Sequence, residues 1–193
     1  EYNNYEQLEK IVNQNDIGVI KMEVQRNSKP KNKFLEKIRE LSNRKSIVLI
    51  FDECTSGFRQ TFGGLHLKYN IKPDICIFGK ALGNGYAINA IIGKRSIMEA
   101  SKKSFISSTF WTERIGPAAA LQTLESMEKL KSWEIISKIG KEIAKKWTEL
   151  SSFHGIKLNI LGLPSIPSFM FQSDKHFHYK TYHTQEMLKK KFL

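Results

Sequence analysis

A chain of 193 residues with 40% apolar and 11% aromatic side chains can bury a core, which excludes a disordered segment. Its net charge of +12 comes mainly from lysines dispersed along helical stretches, with one local run, Lys189 to Lys191, at the end. With no arginine-rich block and no nucleic-acid module pattern, that charge reads as a solvated surface, and no nucleic-acid partner is expected. The apolar runs fall well short of the roughly 20 residues a membrane helix needs, so no membrane partner is expected either.

In chain order, Leu8, Ile11 and Val12 recur at helical spacing in Tyr5 to Val12. Asn15-Asp16 breaks that pattern, and Ile17 to Val24 (IGVIKMEV) reads as a strand. Asn27 to Pro30 is a loop of turn formers. A helix is predicted over Asn32 to Asn43, with Phe34, Leu35, Ile38 and Leu41 on one face. Ile47 to Phe51 (IVLIF) is the next strand, and the order strand, helix, strand predicts a right-handed βαβ unit. A second apolar run, ICIF, begins at Ile75. Both runs are short and nearly continuous, as expected of parallel strands covered on both faces. The two cysteines, Cys54 and Cys76, fall in predicted strands, which excludes a disulfide framework and favours a reducing, cytoplasmic compartment. No signal-peptide pattern opens the chain, although its first residue is Glu1 and not Met.

Each apolar run ends in an ionisable residue, Asp52-Glu53 after the first and Gly79-Lys80 after the second. In open α/β sheets, ligands sit at that end of the strands. The intervening loop TSGFRQTFGG carries glycines suited to tight turns beside a ligand. The turn Ala81 to Tyr86 has neither a Gly-Lys-Ser/Thr ending nor a G-x-G-x-x-G spacing, which excludes a nucleotide-cradling loop. By spacing alone, Lys80 is more often a strand-ending lysine in water, and Asp52 has the alternative role of a carboxylate capping its loop. Together, an acid and a lysine on neighbouring strands suit a cofactor that needs a cationic ring nitrogen and an aldehyde trap. Pyridoxal phosphate is such a cofactor.

Further on, Ser107 to Phe110 precedes an alanine-rich helix, Ile115 to Leu130. A second helix, Trp133 to Leu150, places Ile136, Ile139, Ile143, Trp147 and Leu150 at core spacing. A strand is predicted over Ser168 to Gln172 and a helix over Tyr182 to Leu193. His176, His178 and His183 lie close together without the spacing of a zinc site, and no metal is expected.

FDECTSGFR followed by PDICIFGKALGNGYAINAIIG resembles the class III aminotransferases of the fold-type-I pyridoxal phosphate enzymes, particularly the glutamate-1-semialdehyde aminomutase branch. The pattern D-E-V, G-F-R, P-D, G-K-x-L-G-x-G is kept apart from its valine, which is Cys54 here. The resemblance implies an α/β fold. Residues 1–130 would be the C-terminal part of a large pyridoxal phosphate domain, a mainly parallel sheet with flanking helices. Residues 131–193 would be a connecting helix and the start of a small α+β C-terminal domain. It implies a Schiff base on Lys80, a ring-nitrogen partner in Asp52, a packing contact from Cys54, and a phosphate contact from Thr109 to a neighbouring subunit. A homodimer acting on a small amino donor and a carbonyl acceptor follows. The alternative role of Thr109 is a turn or cap residue.

Two departures stand out. Val24 replaces the proline that usually follows Glu23, and Trp111 to Arg114 replaces a glycine-asparagine-proline loop. Relatives of this kind are considerably longer, so the chain is expected to be a fragment lacking the front half of the large domain. Two other readings stay open: a basic binding module, and a catalytically silent remnant of the same fold.

Overall fold

The computed structural model describes residues 1–192. They fall into two compact units, Glu1–Ile135 and Ile136–Leu193. The first is an α/β unit around a four-stranded sheet of β1 (Val19–Met22), β2 (Val48–Asp52), β3 (Ile75–Phe78) and β4 (Ala90–Gly93), in that spatial order. β1, β2 and β3 are parallel, and β4 closes the sheet antiparallel to β3.

Helix α1 (Tyr5–Gln14) starts where the Asn4 side chain accepts the Gln7 N–H at 2.9 Å, capping one otherwise orphaned donor. Helix α2 (Phe34–Arg44) supplies the crossover between parallel β1 and β2, which a tight turn cannot make. Its 3.6-residue period brings Phe34, Leu35, Ile38 and Leu41 into the core. They join Leu49 and Phe51 from β2 and Cys76 and Phe78 from β3. Both strands alternate between buried and half-buried positions, so one sheet face is packed and the other is only partly covered. This corrects the expectation of cover on both faces. The residues on the less covered face, Ile50 and Asp52 among them, are those the site uses. Cys54 also lies beyond the end of β2 rather than within a strand.

Asp74 locks this unit together. Its Oδ2 accepts from Arg39 Nη1 of α2 at 2.9 Å and from the Leu49 backbone N–H of β2 at 2.8 Å, while Oδ1 lies 2.7 Å from Lys94 Nζ. A short helix α3 (Arg95–Met98) follows β4. Helix α4 (Ile115–Leu130) then packs close, and a Cβ on its Gly116 would lie 2.7 Å from the Ala87 carbonyl oxygen.

The second unit is a hairpin with helices. Helix α5 (Ser132–Phe153) contains the division between the units. β5 (Leu158–Leu163) and β6 (Ile166–Phe171) pair antiparallel, and α6 (His176–Lys189) follows. Phe169 gathers the aromatic rings of this unit, with Trp147 at 5.1 Å, His183 at 5.4 Å and Phe171 at 5.5 Å between centroids. Three expectations are corrected here. The strand expected at Ser168 to Gln172 begins at Ile166 and is preceded by an unexpected strand, β5. The last helix begins at His176, six residues before Tyr182, and Leu193 lies outside the described residues. Ile139, Ile143 and Leu150 are 50%, 39% and 58% exposed rather than core residues. Helix α5 instead turns Gly140 toward the hairpin, where the missing side chain lets the Pro164 carbonyl approach.

Among the described residues, no helix is long and apolar enough to cross a membrane, and no group of three His, Cys, Asp or Glu is placed to hold a metal ion.

Candidate functional site

Parallel pairing of β2 with β3 sets Asp52 opposite Ile77, so the carboxyl ends of these strands lie side by side. Asp52 ends β2, and Lys80 follows β3 by two residues. The linking Gly79 has no space for a side chain, since a Cβ there would strike Asn89 Oδ1 and sit 3.3 Å from Cys54 Sγ. Lys80 itself takes φ +44°, in the left-handed region that costs a non-glycine residue about 1–3 kcal/mol. It opens a one-turn 3-10 helix, Lys80–Leu82.

Lys80 Nζ donates to Thr55 Oγ1 at 2.7 Å. The residue is exposed. Thr55 carries no motif signal, because a hydroxyl in a loop has many ordinary uses.

Asp52 is gripped at both oxygens. Oδ1 accepts the Cys54 backbone N–H at 3.1 Å, and Oδ2 lies 3.1 Å from Lys21 Nζ. Burial works against the carboxylate. The Cys54 N–H and the Lys21 ammonium outweigh it and hold Asp52 below the usual carboxylate range. Lys21 was legible only as one cation in an otherwise apolar strand. The β1–β2 register, Lys21 opposite Ile50, is what sets it diagonally across from Asp52 on one face.

Half-buried Cys54 adjoins both strand ends, its N–H on Asp52 and its Sγ 3.3 Å from where a Cβ on Gly79 would stand. Burial, then the neighbouring Asp52, pushes its thiol upward, and the Lys80 and Lys21 ammonium groups only partly oppose this. The thiol stays protonated, which suits packing and not nucleophilic attack. The structure thus gathers Asp52, Cys54 and Lys80. Thr109 is exposed in the turn before α4, and no hydrogen bond among the described residues joins it to the other three.

Beneath the site lies a buried cluster that the sequence left unassigned. Glu53 is fully buried. Its Oε1 accepts the His66 backbone N–H at 2.9 Å and lies 2.9 Å from His66 Nδ1, while Oε2 accepts the Ser56 hydroxyl. Burial raises the carboxyl, but these bonds outweigh it and leave Glu53 below its ordinary range. Cys76 Sγ lies 3.6 Å from His66 Nδ1, and burial, with the Glu53 charge, pushes its thiol up to about 12. The cluster fixes the loop that follows Asp52.

The profile of the family described as Aminotransferase class-III matches residues 7–183. A 3-aminobutyryl-CoA aminotransferase of Cloacimonas acidaminovorans is 36% identical over 157 residues, covering 81% of this chain and 38% of the relative. A glutamate-1-semialdehyde 2,1-aminomutase of Nitrosopumilus maritimus is 39% identical over 140 residues, covering 68% of this chain and 33% of the relative. One from Hyperthermus butylicus is 30% identical, covering 97% of this chain and 49% of the relative. This chain therefore spans a third to a half of the length of these curated relatives. Among solved structures, the FumI protein of Sphingopyxis sp. MTA144, in its PLP internal aldimine form, superposes with a TM-score of 0.84 at 24% identity. The match covers 90% of this chain and 44% of that one. An ornithine aminotransferase of Plasmodium yoelii gives 0.77 at 21% identity, covering 89% and 47%. At these identities the likeness speaks for the fold alone, half of a larger α/β architecture. The profile match, spanning nearly the whole chain, and curated relatives at 30% identity or above show that the chain belongs to the class-III aminotransferases.

Proposed function

We propose that this chain carries the lysine-bearing half of a pyridoxal phosphate site, in an enzyme that moves an amino group onto, or within, a small carbonyl compound. One observation carries the reading: Asp52 and Lys80 stand at the carboxyl ends of adjacent parallel strands. The residues present fit the cofactor in their chemistry. An ionised carboxylate suits a ring nitrogen, a primary amine suits an aldehyde, and a protonated thiol suits packing on a ring. Pyridoxal phosphate, when bound, supplies an aldehyde that captures amines and a ring that accepts electrons when its nitrogen is protonated.

In this reading Lys80 presents its Nζ from the Thr55 hydroxyl, and the same nitrogen holds and moves a proton during the reaction. Asp52, kept ionised by the Cys54 N–H and Lys21, accepts a hydrogen bond from the ring nitrogen. Cys54 packs on the ring. Thr109 donates its hydroxyl to the phosphate of a neighbouring subunit, in a cytoplasmic homodimer. Residues 1–130 serve as the C-terminal part of the cofactor domain and 131–193 as the connecting helix with part of a small domain.

Titration of the chain with pyridoxal phosphate tests this. A near-visible absorbance band is expected that Lys80→Ala abolishes and Asp52→Ala weakens. Finding no cofactor uptake, or uptake indifferent to Lys80→Ala, overturns the reading. A loaded chain that fails an amino-donor half-reaction is instead a silent member of the family.

A further inference from the structure

The ion pair between Lys21 and Asp52 keeps the carboxylate ionised, but it also bears on what that carboxylate can offer a ring nitrogen. Lys21 interrupts the apolar run of β1, where a neutral side chain would cover the sheet as well. Its register places it on the face that also bears Ile50 and Asp52, and its ammonium sits 3.1 Å from Asp52 Oδ2. The other carboxylate oxygen is already bound by the Cys54 N–H. Any ring nitrogen that uses Asp52 must therefore share it with a resident cation. The surrounding charges do not cancel that cation. Glu23, two residues along, lies 3.9 Å from Arg26, and the Cys54 thiol is protonated.

We propose that Lys21 is a positioning residue that tunes the cofactor site through Asp52, an inference that rests on the function proposed above. It orients the carboxylate by holding Oδ2. It also neutralises part of the charge that would otherwise stabilise a protonated ring nitrogen, because a carboxylate already paired with one cation attracts a second less strongly. The ring of this enzyme then loses its nitrogen proton more readily than one facing an unpaired aspartate. The electron demand of the site is set by two side chains on neighbouring strands rather than by one.

The two roles predict opposite signs, which makes them separable. If tuning dominates, Lys21→Met raises the pH at which the ring nitrogen of the bound cofactor titrates, by about one pH unit, while Lys21→Arg leaves it near the wild-type value. If Lys21 only holds Asp52 in place, Lys21→Met loosens the carboxylate and lowers that pH. The measurement is the NMR shift of an isotope-labelled ring nitrogen against pH, in the chain loaded with pyridoxal phosphate. An unchanged or lowered value in Lys21→Met overturns the proposal. A second arm needs no cofactor. The Asp52 carboxyl carbon, followed by NMR, is expected to titrate higher in Lys21→Met and unchanged in Lys21→Arg, and no difference between Lys21→Met and wild type overturns the ion pair itself. Absence of cofactor uptake by the wild-type chain overturns the proposed function and this proposal with it. Uptake with an unmoved nitrogen titration overturns this proposal alone.

Discussion

Asp74 and Glu53 are the two buried carboxylates on which the geometry around Asp52 rests. Asp74 satisfies Arg39, Lys94 and a buried backbone N–H at once, joining α2, β2 and the chain after β4. Removing a buried charge strands its partners, so Asp74→Ala is expected to cost about 3 kcal/mol, read as a lowered urea midpoint. Glu53 works through pH. Its folded value lies below the ordinary 4.5, so its stabilisation is fully present above that value and is lost as the pH falls through the folded one. The wild-type chain should therefore lose stability on acidification below about pH 5, and Glu53→Gln should show a shallower loss over the same range. The slope will not vanish, because Asp52 and Asp74 are held low in the same way. Denaturant midpoints measured across that pH range check this, and identical slopes for the two proteins would refute it.

At the scale of elements, two kinds of close approach decide the packing. Helix α2 meets the sheet through large apolar side chains, the most forgiving kind of contact to read from a pattern. Helix α5 meets the β5–β6 hairpin through a glycine, with the Pro164 carbonyl where a Cβ would stand. Gly140→Ala is normally a gain in helix propensity of about 1 kcal/mol. Here overpacking against backbone is expected to dominate, with a net loss of about 1–2 kcal/mol. A thermal melt followed through Trp147, whose ring lies 5.1 Å from Phe169 in the same unit, reads this, and an unchanged or raised midpoint would refute it.

At the scale of the whole molecule, charge and apolar exposure oppose one another. The net charge is +12, yet Phe105 is 96% exposed, Phe153 83% and Trp111 68%. Exposed apolar surface on this scale favours association, and like charge resists it. Raising the salt screens the repulsion without weakening apolar contact, so the weight-average mass in sedimentation is expected to rise between about 0.05 and 0.5 M salt. A mass independent of salt would refute this balance.

Local chemistry is legible along the chain without any coordinates. The 3.6-residue period of α2, the apolar runs of β2 and β3, and the motif D-E, G-F-R, P-D, G-K are contiguous signals, and they name the fold class and the family. They could not show which sheet face stays open, because continuous apolar runs look alike whether one face or both are packed. They could not show that Ile139, Ile143 and Leu150 stand exposed, since helical spacing marks an apolar stripe without saying what covers it. The hairpin's first strand, Leu158–Leu163, and the early start of α6 escaped for a related reason, as their side chains follow no clean period. It takes the folded chain to bring Lys21 to Asp52, Thr55 to Lys80, and His66 and Ser56 onto Glu53. The Lys21 and Thr55 partners are separated from theirs by more than twenty residues, and a strand register or loop closure, not spacing along the chain, brings such groups within hydrogen-bonding distance.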